Sequence, residues 1–253
     1  ALIPAGANVG MSGFTGAGHP KAVPQALAAH AKAEHAAGKP YKINLWTGAS
    51  TAPELDGALA AANALGQRLP FNTDPICRNK INTGEIDFID MHLSHVAQHA
   101  WFGFLGPLHV AVIEVLGVTA DGLLIPAAAV GNNKTWLEIA DKVILEVNTK
   151  PSAKMEGMHD IYYGTAIPPR RVPINMTHAD DRIGQPEALD EQTLEAEAPC
   201  ARVHDLDADD AAFARLRQEP ADLPPGDLEE SADLVLCLVL VVVQLGDADH
   251  EQI

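Results

Sequence analysis

Hydrophobic and polar positions follow two patterns over the first 184 residues: short apolar runs typical of strands, and longer alanine-rich runs typical of helices. Ala22–Ala37 predicts a helix, because Pro24 suits a first turn, alanine favours the helical backbone and Gly38 stands where a helix ends. Tyr41–Thr47 follows as a predicted strand, since it is rich in residues that favour extended backbone.

A second helix is predicted from Pro53 to about Leu65, with Ser50 or Thr51 as its N-cap and Gly66 as its stop. Proline is tolerated in a first helical turn, because the N–H that it lacks would have no partner there. The sequence therefore predicts a strand, a turn and a helix in succession.

The middle of the chain predicts further strands. His109–Val118 is strongly apolar and predicts a buried central strand. Ala120–Gly122 predicts a turn, after which Leu123–Ile125 is expected to pair back on that strand as a hairpin. Thr135–Ala140 predicts a short helix and Lys142–Val147 a further strand. Strands that alternate with helices predict the α/β class, with a mostly parallel open sheet and helices on both faces.

Charge divides the chain near Gly184 into a predicted domain over residues 1–184 and an acidic tail over residues 185–253. The first part carries 16 acidic and 14 basic side chains, whereas the second carries 18 acidic and 3 basic. The tail shows no sustained hydrophobic period, so we expect little regular structure there. Its apolar run Leu234–Leu245 predicts one strand after an acidic linker; the alternative is that the tail is no natural continuation of the domain.

The net charge of −17 argues against a nucleic-acid partner, since phosphate binding requires a basic surface. No apolar run reaches the roughly 18–20 residues that cross a bilayer, so no membrane partner is expected. Three widely spaced cysteines without a CxxC pair favour a reducing compartment, and we expect a cytoplasmic location. The chain opens at Ala1 without methionine or a secretory signal, and we expect a fragment or processed chain whose natural start is missing.

Gly10–Pro20 (GMSGFTGAGHP) carries four glycines between a short apolar strand and the first predicted helix. A strand, a glycine loop and a helix in succession present backbone N–H groups and a helix dipole, which suit a phosphate or a developing oxyanion. The loop lacks the GxGxxG and GK[ST] spellings of dinucleotide and P-loop sites. From the residues alone, a tight turn without a ligand is an equally good interpretation.

The spelling of this loop adds a resemblance. Gly13-Phe14, three residues, Gly18, one residue and Pro20 resemble the G-F-x-x-x-G-x-P signature of class I coenzyme A transferases, with Ser12 in place of that signature's first glycine. The likeness continues, in order, through TGASTAPELDG (Thr47–Gly57), FNTDPICRNKINTGEIDFIDMHLSHVAQ (Phe71–Gln98), VGNNKTW (Val130–Trp136), VILEVN (Val143–Asn148) and EGMHDIY (Glu156–Tyr162). Over about residues 1–184, the chain resembles the N-terminal half of the acetyl-CoA hydrolase/transferase family, which includes succinyl-CoA:acetate CoA-transferases.

The resemblance implies a fold and a chemistry. It implies a CoA-transferase-like half, one of two stacked α/β halves. CoA would pass from an acyl-CoA to a carboxylate such as acetate through a glutamate that becomes a γ-glutamyl-CoA thioester; in a hydrolase, water would accept the acyl group. The implied partners are small acyl-CoA and carboxylate molecules, with coenzyme A as substrate, no further cofactor and no metal.

The resemblance also nominates residues for contact with CoA or the acyl group. They lie in three glycine-containing segments: Gly13, Phe14, Gly16 and Gly18; Gly48, Ala49 and Ser50; Gly131, Asn132 and Asn133. A strand end that opens a helix is where ligands bind in open α/β sheets. The alternatives are an ordinary turn capped by Ser50 and a helix N-cap by Asn132 or Asn133.

No catalytic residue is nominated. The resemblance places the catalytic glutamate in the second half, in a Ser-Glu motif beside a glycine-rich strand, and this sequence has no such motif. We therefore expect a chain that holds part of the pocket without completing the reaction alone. The alternatives are a non-catalytic CoA- or acyl-binding module and an inert truncated product. Half of a two-half fold would expose apolar surface, so we also expect self-association, as a homo-oligomer, or aggregation.

Three other features admit a functional and a structural interpretation. His92, His95 and His99 could share one helical face as zinc ligands do, but the apolar residues between them favour a buried helix. Cys77 stands near two basic residues that could activate it, yet no partner histidine is close in sequence, so a packed thiol is predicted. Pro168–Arg171 predicts a solvated loop, with contact to CoA phosphates as the alternative.

Overall fold

The computed structural model describes residues 2–119, 123–159, 161, 178 and 241–244. Its strands are β1 (Asn8–Gly10), β2 (Phe14–Thr15), β3 (Ile43–Trp46), β4 (Ala49–Ser50), β5 (Leu65–Leu69), β6 (Asp87–Phe88), β7 (Leu108–Val118), β8 (Leu124–Pro126), β9 (Ala140–Val147) and β10 (Val241–Gln244). Its helices are α1 (Ala22–Ala36), α2 (Ala58–Ala61), α3 (Pro75–Asn82), α4 (Leu93–Trp101) and α5 (Asn133–Ile139). A π-helical turn covers Pro53–Gly57, and a 3₁₀ turn covers Ala153–Met155.

The main sheet has the strand order β10-β9-β7-β1-β3-β5-β6, and β8 also pairs with β7. Neighbours from β9 to β6 run parallel, whereas β8 and β10 pair antiparallel. β2 and β4 form a separate parallel pair. The predicted α/β class with a mostly parallel sheet is confirmed. Within the described part of the chain, no helix is long and apolar enough to cross a lipid bilayer.

Side chains of the central strand β7 alternate between two cores. Val110 and Val112 belong to the core covered by α1, α2 and α3, whereas Ala111 and Ile113 belong to the core covered by α4 and α5. This period of two is what a strand with both faces buried produces. Helices therefore lie on both faces of the sheet, as predicted.

The elements with the clearest periodicity form as predicted. Helix α1 has Pro24 in its first turn and ends before Gly38, whose φ of +75° suits glycine. Strands β3, β7 and β9 and helix α5 lie within about two residues of their predicted bounds. Strand β8 pairs antiparallel with β7, which confirms the hairpin; its predicted turn at Ala120–Gly122 lies outside the described residues.

The predicted start of the second helix is wrong. Neither Ser50 nor Thr51 caps it: Ser50 belongs to strand β4, and the N-cap position is Ala52, which makes no side-chain cap. The buried Asp56 carboxylate instead accepts the Ala52 N–H at 3.0 Å, from inside the first turn. A carboxylate four residues along thus satisfies a donor that a preceding serine or threonine was expected to satisfy.

The predicted end of the second helix is also wrong. The helix ends at Ala61, and Leu65 and Gly66 lie in strand β5. The chain leaves the helix at Asn63, which has a left-handed φ of +54°, a conformation that asparagine tolerates better than most residues. A short apolar run fits a helix or a strand equally well, so the alanine-rich pattern gave no sign of this break.

The tail contributes one described strand. β10 pairs antiparallel with β9, with Val243 opposite Val143. These four residues belong to the predicted apolar run Leu234–Leu245. The rest of that run and the predicted domain boundary near Gly184 lie outside the described residues.

Two buried glutamates interrupt the apolar strands β7 and β9. Glu114 and Glu146 are neighbours in the parallel register. Glu146 accepts the backbone N–H groups of Lys21, Ala22 and Val23 at 2.6–3.1 Å, and Glu114 binds the Lys21 ammonium at 2.5 Å. The first N–H groups of a helix have no partner within it, so the Glu146 carboxylate satisfies them and also favours the helix dipole.

Replacing Glu146 with alanine should lower the free energy of unfolding by about 2–4 kcal/mol, because it leaves the N–H groups of Lys21, Ala22 and Val23 at the start of α1 without their acceptor. Urea denaturation of both proteins measures the difference. Glu156→Ala, at an exposed glutamate, is the control and should change the value by less than about 0.5 kcal/mol. Equal losses in the two variants would contradict this role of Glu146.

Candidate functional site

Three loops meet beyond the carboxyl ends of the neighbouring parallel strands β1 and β3. The first loop (residues 11–18) follows β1, the second (residues 47–51) follows β3, and the third (residues 130–133) precedes α5. The backbone N–H of Asn132 donates to Ser12 Oγ at 2.9 Å, and Asn132 Nδ2 donates to the Thr47 carbonyl at 3.3 Å. One asparagine of the third loop thereby joins the other two, and we refer to the three as the loop cluster.

Contacts within the loop cluster are so close that glycine is required at several positions. A Cβ on Gly13 would lie 2.7 Å from the carbonyl carbon of Gly18, and one on Gly48 would lie 2.9 Å from Ser12 Oγ. A Cβ on Gly131 would lie 3.0 Å from the Gly13 nitrogen and closer still to Ser12 Oγ. Gly18 and Gly131 also have φ values of +68° and +55°. These glycines therefore have a packing role, and their contact with substrate stays a prediction.

Several of the nominated residues are accessible at the surface of the loop cluster. Phe14 is 61% exposed and pairs with Ala49, which is half-buried, across β2 and β4. Gly16 is exposed, and nothing lies within 4 Å of a Cβ built on it. Gly131 is exposed and Asn132 is half-buried. A ligand that approached the carboxyl edge of the sheet would meet these residues first.

Two nominated residues are buried. The Ser50 hydroxyl donates inward to the Met11 carbonyl at 3.3 Å. Asn133 opens α5, and its Oδ1 has no hydrogen-bond partner among the described residues. Asn132 occupies the N-cap position of α5, but its side chain does not cap the helix and goes to the second loop instead. The N-cap interpretation is thus right about the position of Asn132 and wrong about its side chain.

The loop cluster contains backbone donors for which the described part of the chain provides no acceptor. Gly13 and Gly48 are both buried, and no hydrogen bond among residues 2–119 and 123–159 uses the N–H group of either. Buried peptide N–H groups almost always have a partner, because leaving one unsatisfied costs stability. These two N–H groups are therefore where a bound acceptor atom is expected.

The first turn of α1 is not available to an external anion, contrary to the sequence-based expectation. Its N–H groups donate to Glu146. Glu146 lies on β9, which is two strands away from β1 in the sheet. The protein's own carboxylate thus occupies the anion site that a strand, a glycine loop and a helix would otherwise form. The signal in the sequence is a glutamate within the apolar run KVILEV, since a buried acid requires a partner.

A buried ion pair that the sequence did not predict lies beneath the second loop. Arg68 and Asp56 are fully buried, and Arg68 Nε donates to Asp56 Oδ1 at 2.6 Å. Arg68 Nη1 donates to Thr47 Oγ1 at 2.8 Å and to the Leu69 carbonyl, and Nη2 donates to the Ser50 carbonyl at 2.9 Å. An arginine within a short strand that begins and ends with leucine was the available signal, because an arginine is rarely buried without a paired charge.

His19 lies directly between the first loop and α1. Its ring is fully buried, and Nε2 lies 3.2 Å from Glu54 Oε1, while Nδ1 has no partner among the described residues. Burial lowers the pKa of His19 below its ordinary value of 6.5, and the nearby Lys21 ammonium lowers it further; Glu54 and Glu114 oppose the shift. The folded protein therefore favours a neutral imidazole at this position.

Cys77 is a buried thiol on α3, as predicted. Its backbone N–H donates to Asp74 Oδ1 at 2.9 Å, which caps the helix. Burial, with a smaller contribution from Asp56, raises the pKa of Cys77 to about 12. Because the thiolate is the reactive form, this residue is a packing group and not a nucleophile.

The three histidines lie together at the start and along one side of α4. His92 is its N-cap residue, and the ring centroids of His92 and His95 are 5.4 Å apart, those of His95 and His99 5.9 Å. His99 Nδ1 lies 2.8 Å from the His95 carbonyl oxygen. No group of three or more His, Cys, Asp or Glu residues within the described ranges could hold a metal ion. Pro168–Arg171 lies outside those ranges.

Acidification should destabilise the folded chain through His19. Because the folded-state pKa lies below 6.5, the unfolded chain binds more protons, and stability is lost as the pH falls through 6.5. Urea denaturation at pH 7.5, 6.5 and 5.5 should therefore show a smaller loss for His19→Gln than for the wild type. His92→Gln, at an exposed histidine, is the control and should keep the wild-type pH dependence. Parallel curves for wild type and His19→Gln would contradict the assignment.

Comparison with known proteins places the chain in a family. The family model of the acetyl-CoA hydrolase/transferase N-terminal domain matches residues 1–181. A succinyl-CoA:acetate CoA-transferase of Clostridium kluyveri is 42% identical, over 72% of this chain and 33% of the relative. A propanoyl-CoA:succinate CoA transferase of Escherichia coli is 44% identical, over 70% and 36%. An acetyl-CoA hydrolase of Schizosaccharomyces pombe is 39% identical, over 70% and 35%. The chain thus spans about a third of the length of these relatives, and it belongs to the acetyl-CoA hydrolase/transferase family.

Proposed function

We propose that the loop cluster holds the acyl end of an acyl-CoA for transfer of CoA to a carboxylate such as acetate, or for hydrolysis of the thioester. The relatives named above are two CoA-transferases and an acetyl-CoA hydrolase, which supports a CoA thioester as the substrate. Coenzyme A is then a substrate and not a resident cofactor. A cytoplasmic location and a homo-oligomeric state stay predictions.

The observation that carries this proposal is the pair of N–H groups at Gly13 and Gly48. They come from loops after two neighbouring parallel strands, where ligands bind in open α/β sheets. When a nucleophile adds to a thioester carbonyl, negative charge develops on the carbonyl oxygen. Backbone donors that are already fixed in place stabilise that charge without reorganising, and one such donor typically contributes about 3 kcal/mol.

The nucleophile is a separate question. Glu54 lies against His19, while Glu114 and Glu146 bind Lys21 and the start of α1, so all three are engaged in structural contacts. The family resemblance places the reactive glutamate in a Ser-Glu motif that this sequence lacks. The proposal is therefore that this chain binds and polarises the thioester, and that a glutamate outside this chain attacks it.

Gly131→Ala should weaken acetyl-CoA binding by about tenfold or more. The added methyl group would collide with Ser12 and Gly13 at a positive φ and displace the first loop from the second. Gly117→Ala is the matched control, because nothing lies within 4 Å of its added Cβ. Titration calorimetry of each 253-residue variant measures the dissociation constant, and circular dichroism checks the fold. Unchanged affinity in a folded Gly131→Ala variant would remove the loop cluster from the site.

A trapping experiment tests whether this chain binds the thioester without supplying the glutamate that attacks it. The wild-type chain is incubated with acetyl-CoA, reduced with borohydride and mapped by mass spectrometry, alongside an assay with succinyl-CoA and acetate. Binding without turnover or labelling is the expected result. A glutamate labelled within residues 1–253 would overturn the claim that the nucleophile lies elsewhere, and absence of binding would overturn the proposed function.

A further inference from the structure

We propose that Arg68 and Asp56 are positioning residues for the second loop: the buried ion pair fixes the backbone that presents Gly48 to the substrate. The role of the pair in binding rests on the proposed function. The effect of the pair on the second loop does not depend on the proposed function, and it can be measured in the unliganded chain.

The hydrogen bonds of Arg68 are directed at the loop and not only at its acidic partner. A guanidinium can bind a carboxylate through two parallel N–H groups. Here Arg68 directs only its Nε–H group to Asp56. Nη1 goes to Thr47 Oγ1 and Nη2 to the Ser50 carbonyl, so one planar group binds both sides of Gly48-Ala49. The rigid geometry of the guanidinium then fixes the distance between those two attachment points.

Asp56 completes the restraint from the other end. Its Oδ1 binds Arg68, and its Oδ2 accepts the N–H group of Ala52, the residue after the second loop. Thr47 Oγ1, itself held by Arg68, donates to the Gly48 carbonyl at 3.1 Å or the Ser50 carbonyl at 3.3 Å. Residues 47–52 are thus held at the start, the middle and the end by one buried pair.

Stability alone is a weak reason for this arrangement. Removing two charges from water is costly, and replacing a buried ion pair with apolar residues of similar volume is often neutral or stabilising. What an apolar pair could not provide is the set of directed bonds to Thr47, Ser50 and Ala52. A role in stability and a role in positioning the loop therefore predict different behaviour when both residues are replaced.

The decisive variant is Arg68→Met/Asp56→Leu, which replaces both charges with apolar side chains. Each single replacement should be strongly destabilised, because it leaves one buried charge unpaired. The double variant should recover much of the stability that each single replacement loses, although Thr47, Ser50 and Ala52 each lose a hydrogen bond. Its amide hydrogens in residues 47–52 should nevertheless exchange about tenfold faster or more, and its dissociation constant for acetyl-CoA should rise about tenfold or more.

Arg68→Lys provides a second variant if the double variant does not fold. Lysine keeps the charge opposite Asp56 but lacks the planar fork that reaches Thr47 and Ser50 together. The same faster exchange and weaker binding are expected. Arg78→Lys, at an exposed arginine on α3, is the control and should match the wild type in both measurements.

The outcomes separate the two proposals. Wild-type exchange rates in residues 47–52 of a folded double variant, or of Arg68→Lys, would overturn the positioning role. Faster exchange with unchanged affinity for acetyl-CoA would also overturn it, since the loop would move without consequence for binding. If the wild type binds no acetyl-CoA, the proposed function fails, and the exchange rates alone decide whether the pair fixes the loop.

Discussion

Backbone contact among three loops determines the geometry at the carboxyl edge of this sheet. Gly13, Gly48 and Gly131 allow the loops to approach until Ser12 Oγ accepts the N–H of Asn132. A Cβ on Gly48 or Gly131 would meet atoms of another loop at 3.0 Å or less, and one on Gly13 would meet its own loop as closely. The convergence also depends on the strand order, because β1 lies between β3 and β7 and so places the glycine loop at the centre of the edge. The sheet brings the loops near each other, and glycine lets them touch.

Two buried carboxylates hold the structure on either side of this contact. Glu146 fixes the start of α1, which follows the glycine loop almost directly, and Asp56 fixes Arg68 beneath the second loop. Each carboxylate is removed from water, so each requires several hydrogen-bond donors from the protein. Those donors belong to backbone segments that flank the loop cluster. The same hydrogen bonds therefore satisfy the two buried carboxylates and fix the loops in place.

Local pattern predicted the elements whose periodicity extends over many residues. Helix α1, strand β7 with its hairpin, and strand β9 were predictable, because each has a long apolar or alanine-rich signal. Strand β5 was missed, since its five residues follow a helix without a proline or glycine stop and the break depends on the left-handed Asn63. The candidate segments came from the family resemblance. Their meeting, like the bonds of Arg68 and Glu146, joins residues far apart in sequence and has no local signature.

The loop cluster differs from a phosphate site in the kind of hydrogen-bond donor that it offers. A phosphate carries full negative charge and is best bound by a helix N-terminus or by basic side chains. The N-terminus of α1 already binds Glu146, and the neighbouring Lys21 binds Glu114. What the loop cluster offers instead is a pair of neutral peptide N–H groups in buried surroundings. Such donors suit a carbonyl oxygen that becomes charged only during reaction. This difference supports the proposal that the loop cluster holds the acyl end of an acyl-CoA and not its phosphates.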